Sequence, residues 1–91
     1  MKTAEEYGEN NRERLIDQGY EIHSWGRTVI HQNTFYDLQC SNQDVSPPLR
    51  FRYLCLVKNR VGIVLTCTAP NECYIHVARD FEFIVNTFRF L

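Results

Sequence analysis

Apolar positions along this chain follow a helical spacing at both ends and a spacing of two in between. Thr3-Ala4-Glu5-Glu6 fits a capping box, with Thr3 as N-cap and Glu6, three residues on, reaching back. The helix it opens runs to about Gln18. Gly19 suits the left-handed residue that follows a helix end, and Tyr20 then packs back on Leu15. The apolar stripe of this helix is thin: Ala4, Tyr7, Leu15 and Ile16, interrupted by Asn11, with Gly8 costing about 1 kcal/mol relative to Ala. Such a helix persists only by lying against another element.

From Tyr20 the period becomes two. Tyr20, Ile22 and Ser24 alternate with Glu21, His23 and Trp25, and Gly26 breaks the run before Thr28-Val29-Ile30. Thr34 to Cys40 reads as a strand with Tyr36, Leu38 and Cys40 on one face. Ser41 to Pro48 carries loop signals throughout. Leu49 to Val57 and Val61 to Thr68, rich in β-branched and aromatic residues, are the strongest strands, joined by a tight turn in Lys58-Asn59-Arg60. A two-residue turn at Asn59-Arg60 puts Leu54, Leu56, Ile63 and Leu65 on one face; a three-residue turn brings Tyr53, Cys55 and Val57 there instead. Both fit the sequence. After Pro70, Asn71 is a candidate N-cap. A final helix is marked by Tyr74, Val77, Ala78, Phe81, Ile84, Val85 and Phe88. The order predicts an α+β fold: an antiparallel meander of about four strands, flanked by an N-terminal and a C-terminal helix packed on one face. The other face is left open to water or to a partner.

With 91 residues and 44% hydrophobic content, the chain supports a single domain, residues 1–91, and is too apolar for a disordered tail. It lacks an apolar run long enough to span a bilayer, so no transmembrane segment is expected. Met1 leads into a polar stretch without the features of a signal peptide. Cys40, Cys55, Cys67 and Cys73 are therefore read as reduced, mostly buried thiols, and the location as cytoplasmic, or exported if the chain is cut from a longer precursor. A net charge of −1 argues against a general nucleic-acid binder. The charge is uneven: residues 1–44 carry eight acidic and four basic side chains, whereas residues 45–71 carry Arg50, Arg52, Lys58 and Arg60 and no acid. Such a segment marks either an interaction face or basic edges solvated opposite an acidic helix.

Catalytic chemistry finds little purchase. Cys73 and His76 lie three apart at a helix start, but a structural zinc takes four ligands, and Cys67, on another element, is the only further donor nearby. Neither a metal nor a cofactor is expected. As a nucleophile and base, Cys73 and His76 lack an evident Asn or Asp to orient the imidazole. Nucleophile-elbow, phosphate-loop and zinc-helix motifs are all missing, and four glycines are too few for a nucleotide loop. Arg50-Phe51-Arg52-Tyr53 interleaves cations and aromatics as single-strand binders do, yet alternation sends the two sets to opposite faces. The reading is a non-enzymatic binding protein that contacts another protein, or a second copy of itself, through an open sheet face or edge, a chaperone-like adaptor being its most specific form. Arg50, Arg52, Tyr53, Lys58 and Arg60 are its candidate contact residues. Two alternatives stand beside it: a pocket enzyme or ligand carrier using Cys73 and His76 with Trp25 nearby, and a single-stranded nucleic-acid binder using the basic 50–60 hairpin.

Three stretches resemble the PsbP/DcrB-like superfamily: the helix opening Thr3-Ala4-Glu5-Glu6-Tyr7 followed by Leu49-Arg50-Phe51-Arg52-Tyr53, the strand pair Val57 to Ala69, and the closing Phe81-Glu82-Phe83-Ile84-Val85-Asn86-Thr87-Phe88-Arg89-Phe90, in which Thr87 stands where that family usually has Ser. The resemblance covers nearly the whole chain but about the C-terminal two thirds of a typical family domain. It implies the same α+β fold and a non-enzymatic role, with members that are photosystem accessory subunits, envelope lipoproteins or chaperones for membrane segments. No functional residue carries over, because the matched phrases are core and turn positions. The family's N-terminal hairpin is lacking here, which implies an exposed sheet edge suited to pairing with another chain.

Overall fold

A computed structural model describes residues 3–42 and 44–87. The order is helix α1 (Ala4–Asp17), strands β1 (Glu21–Ile30), β2 (Asn33–Asn42), β3 (Leu49–Lys58) and β4 (Val61–Pro70), a 3₁₀ turn (Asn71–Cys73) and helix α2 (Tyr74–Thr87). The strands form one antiparallel sheet in the order β1-β2-β3-β4, the meander expected of an α+β fold. Phe88, the end of the expected apolar stripe, and the closing Phe88-Arg89-Phe90 lie outside the described residues.

The helix ends follow local chemistry. Thr3 Oγ1 accepts from the Glu6 amide at 3.0 Å, capping α1. At the other end Gly19 takes φ 88°, its amide donating to Ile16 and the Tyr20 amide to Leu15, both at 3.0 Å. This is the Schellman arrangement that needs a left-handed residue. Asn71 does not cap α2. Pro70 holds the cap position of the preceding 3₁₀ turn without a side-chain bond, and the Asn71 amide donates to the Pro48 carbonyl.

Both tight hairpins are two-residue turns. His31-Gln32 and Asn59-Arg60 all have positive φ, from 50° to 68°, the backbone of a type I′ turn whose twist matches the flanking strands. Lys58 therefore faces Val61, Leu56 faces Ile63 and Leu54 faces Leu65, which decides the register between the two alternatives. β1 is continuous through Gly26, with an irregularity between Ile22 and Ser24 instead of a break.

The helices lie on opposite faces, where the sequence led us to expect them on one. Phe35, Leu54 and Leu56 form one core with Val85 and Phe81 of α2, whereas Tyr36, Leu38 and Cys55 form another with Tyr7 and Leu15 of α1. The cause is legible in β2 and β3, where Phe35-Tyr36 and Leu54-Cys55-Leu56 are apolar at both parities. A strand that sends apolar side chains both ways must be covered on both sides. α1 packs on β1, β2 and β3, and α2 starts directly from the end of β4 and packs on it. The α1 side of β4 is thus the open part of the sheet.

Candidate functional site

The basic hairpin does not form one surface. Arg52 is buried on the α2 face, where its guanidinium donates to both oxygens of Asp37 (Nε–Oδ1 3.1 Å, Nη2–Oδ2 2.7 Å) and through Nη1 to Glu82 Oε1 at 3.0 Å. The two carboxylates hold this side chain in its charged form, Asp37 more than Glu82. Arg50, on the same face, lies over the Tyr74 ring at 4.9 Å. Tyr53 points to the other face, stacked on Phe51 at 6.0 Å with ring planes 9° apart. Lys58 and Arg60 sit at the β3–β4 turn, about 27 Å along the strand from Arg50. Alternation separates the cations from the aromatics as anticipated, and ion pairing takes Arg52 out of any basic patch.

The pocket residues are also dispersed. The cleft between α2 and the sheet, about 200 Å³, is lined by Thr28, Ile30, Arg52, Leu54, Glu82, Val85 and Asn86. Cys73 and His76 are exposed and outside that lining. Trp25 lies on the α1 side, with the Arg12 guanidinium 4.6 Å over its ring. No group of three or more His, Cys, Asp or Glu side chains among the described residues is placed to hold a metal ion. Burial pushes the Cys40 and Cys55 thiols up to about 11, so both are protonated near neutral pH. No helix among the described residues is long and apolar enough to cross a membrane.

What the chain does present is the outer edge of β4. Val61 to Pro70 contains no charged residue, pairs with β3 without a single irregularity, and meets proline only at its last position. In a two-residue hairpin the residues flanking the turn exchange hydrogen bonds, and the pattern then alternates. Val61, Ile63, Leu65, Cys67 and Ala69 thus face β3 with their backbone groups, while Gly62, Val64, Thr66 and Thr68 turn theirs outward. The opposite edge is blunted. β1 carries Glu21, His23 and Arg27, and the irregularity beside Ile22 disturbs its backbone. Charges and bulges of this kind protect edges from pairing, and β4 has neither.

The strand itself is uncharged on both faces, with Arg50 and Arg52 of β3 standing beside Ala69 and Cys67 on the α2 side. On the α1 side, Tyr20, Phe51 and Tyr53 form a half-buried aromatic row, with Tyr20 and Phe51 5.6 Å apart, beside exposed Thr66 and Thr68. On the α2 side, Glu82 turns inward along the sheet to Arg52, so the opposite flank of the helix, bearing Val77 and Ile84, lies toward β4 and beyond it. Ile84 is 61% exposed. Reading residues by charge overlooked this site; the signal was a ten-residue stretch with no charge at all.

The fold and edge define a small α+β domain with one protected and one unprotected sheet edge. No protein-family model matches the chain, and no match is found among curated proteins or solved structures.

Proposed function

We propose that this chain is a non-enzymatic protein-binding module that accepts an added β-strand along β4, with Tyr20, Phe51 and Tyr53 as the aromatic surface beside the incoming strand. The observation that carries this reading is the uncharged, regular outer edge of β4. An added strand satisfies the outward amides and carbonyls of Gly62, Val64, Thr66 and Thr68, and main-chain bonds of this kind supply affinity in strand addition. Alternate side chains of the added strand then fall beside the aromatic row, where specificity arises. The non-enzymatic role implied by the sequence resemblance points the same way.

A photo-reactive amino acid at position 66, with a second probe at position 27 on the opposite edge, tests this in cells. The expected result is a defined protein adduct at position 66 and none at position 27. Equal or absent labelling at the two positions contradicts the reading.

A further inference from the structure

We infer that the strand accepted by β4 is β4 of a second copy, paired antiparallel about a two-fold axis through Leu65; this rests on the strand-addition reading above. Antiparallel pairing requires residues with outward backbone groups to meet one another. On β4 those residues are Gly62, Val64, Thr66 and Thr68. An axis at Leu65 places Gly62 opposite Thr68 and Val64 opposite Thr66, and does so twice, so all the outward groups are used at once in about eight hydrogen bonds. An axis at Val64 or Thr66 leaves the outward groups of Thr68 or Gly62 unused. The edge is therefore self-complementary in one particular register.

Charge and area support the same occupant. The alternative partner for a strand edge is a segment with charges to be matched, and β4 offers none between Val61 and Pro70. Self-pairing opposes only Gly62 with Thr68, Val64 with Thr66, Ile63 with Cys67, Val61 with Ala69 and Leu65 with itself, so no like charges meet within the strand seam, and the nearest charge on the α2 flank is the exposed Asp80 between Val77 and Ile84. Ten residues of strand span about 33 Å, and the protein is 18 Å through its thinnest dimension. The β4 side thus offers about 600 Å² before side-chain relief is counted, against about 800 Å² per partner in an ordinary stable interface. Val77 and the exposed Ile84 extend the contact on the α2 side, where the two α2 flanks approach across the axis.

The test is the oligomeric state of the full chain by light scattering after size exclusion, with single and mixed variants. The wild type is expected to be a dimer at micromolar concentration. T66K and V64E, each placing unpaired charges at the seam, raise the dimer dissociation constant by about tenfold. Mixing the two restores dimer, because the lysine introduced at position 66 of one chain then faces the glutamate introduced at position 64 of the other. Thr66 is exposed, so T66K is expected to keep its fold, whereas Val64 packs against the Tyr36 core; circular dichroism checks the fold of both variants, and T66K alone carries the test if V64E unfolds. A wild type that stays monomeric up to millimolar concentration overturns the second copy as occupant. If the position-66 probe still captures a different protein in that case, strand addition stands; if it captures nothing, that reading falls too. A dimer unaffected by T66K, V64E or their mixing overturns the β4 register.

Discussion

Gly8 of α1 lies directly over the ring of Tyr36 of β2, so close that a Cβ at position 8 would fall 2.1 Å from Tyr36 Cγ and Cδ1. Tyr36 is itself 2% exposed and has no room to retreat. The glycine that weakens the helix by its propensity is what lets the helix lie down on the sheet. Gly8→Ala is therefore expected to destabilise the protein by about 2 kcal/mol, the overpacking cost exceeding the helix-propensity gain of about 1 kcal/mol. Urea denaturation measures it, and a stabilised variant would contradict the packing.

The Tyr36 hydroxyl is buried with no hydrogen-bond partner among the described residues. Removing it by Tyr36→Phe is expected to keep or raise stability, by up to about 1 kcal/mol, since a buried unpaired hydroxyl costs more than it returns. A loss of stability in thermal melts would indicate a partner.

Arg52 is the buried charge of the α2 face among the described residues. It is held chiefly by Asp37, which is 15% exposed, with Glu82 at 62% exposure as the outer partner. Arg52→Met strands the Asp37 carboxylate and is expected to cost about 3–5 kcal/mol. Glu82→Gln breaks a solvent-screened pair and is expected to cost less than about 1 kcal/mol. Adding Asp37→Asn to Arg52→Met recovers most of the loss. A double-mutant cycle by chemical denaturation checks the order of these effects.

Alkaline pH should loosen the sheet from within. Burial raises the thiols of Cys40 and Cys55 from 9.0 to about 11, and Tyr53 from 10.0 to about 12. A raised folded-state value means that the unfolded chain gives up its proton first. The stability these groups contribute is complete below pH 9 and is lost as pH rises from 9 to 11 for the thiols, and from 10 to 12 for Tyr53. Each thiol accounts for about 3 kcal/mol over its window. Urea midpoints across that range are expected to fall steeply, and Cys40→Ala with Cys55→Ala to flatten the slope. A flat wild-type profile would contradict the burial of these thiols.

Most of the architecture was legible because it depends on local signals. Thr3 and Gly19 bracket α1, and the β-branched, period-two runs give the meander. The side assignment of the helices was also written in the chain, in the consecutive apolar pairs Phe35-Tyr36 and Leu54-Cys55, but one-face reasoning passed over it. The fate of Arg52 was not legible, because its partners Asp37 and Glu82 are 15 and 30 residues away and meet it only through register. The value of Gly8 was hidden for the same reason. The edge of β4 shows itself in sequence only as missing charge, and it becomes a site once the order of strands leaves it unpaired among the described residues.

Residue-resolved amide hydrogen exchange at increasing protein concentration reads out whether β4 binds a strand along its outer edge. The amides of Ile63, Leu65 and Cys67, bonded to β3, are expected to exchange slowly throughout. Those of Val64, Thr66 and Thr68 are expected to pass from fast to slow exchange as the concentration rises from nanomolar to micromolar, with the β1 edge unchanged. Fast exchange of Val64, Thr66 and Thr68 at every concentration, and equally fast in the presence of any protein captured at position 66, would contradict strand binding along that edge.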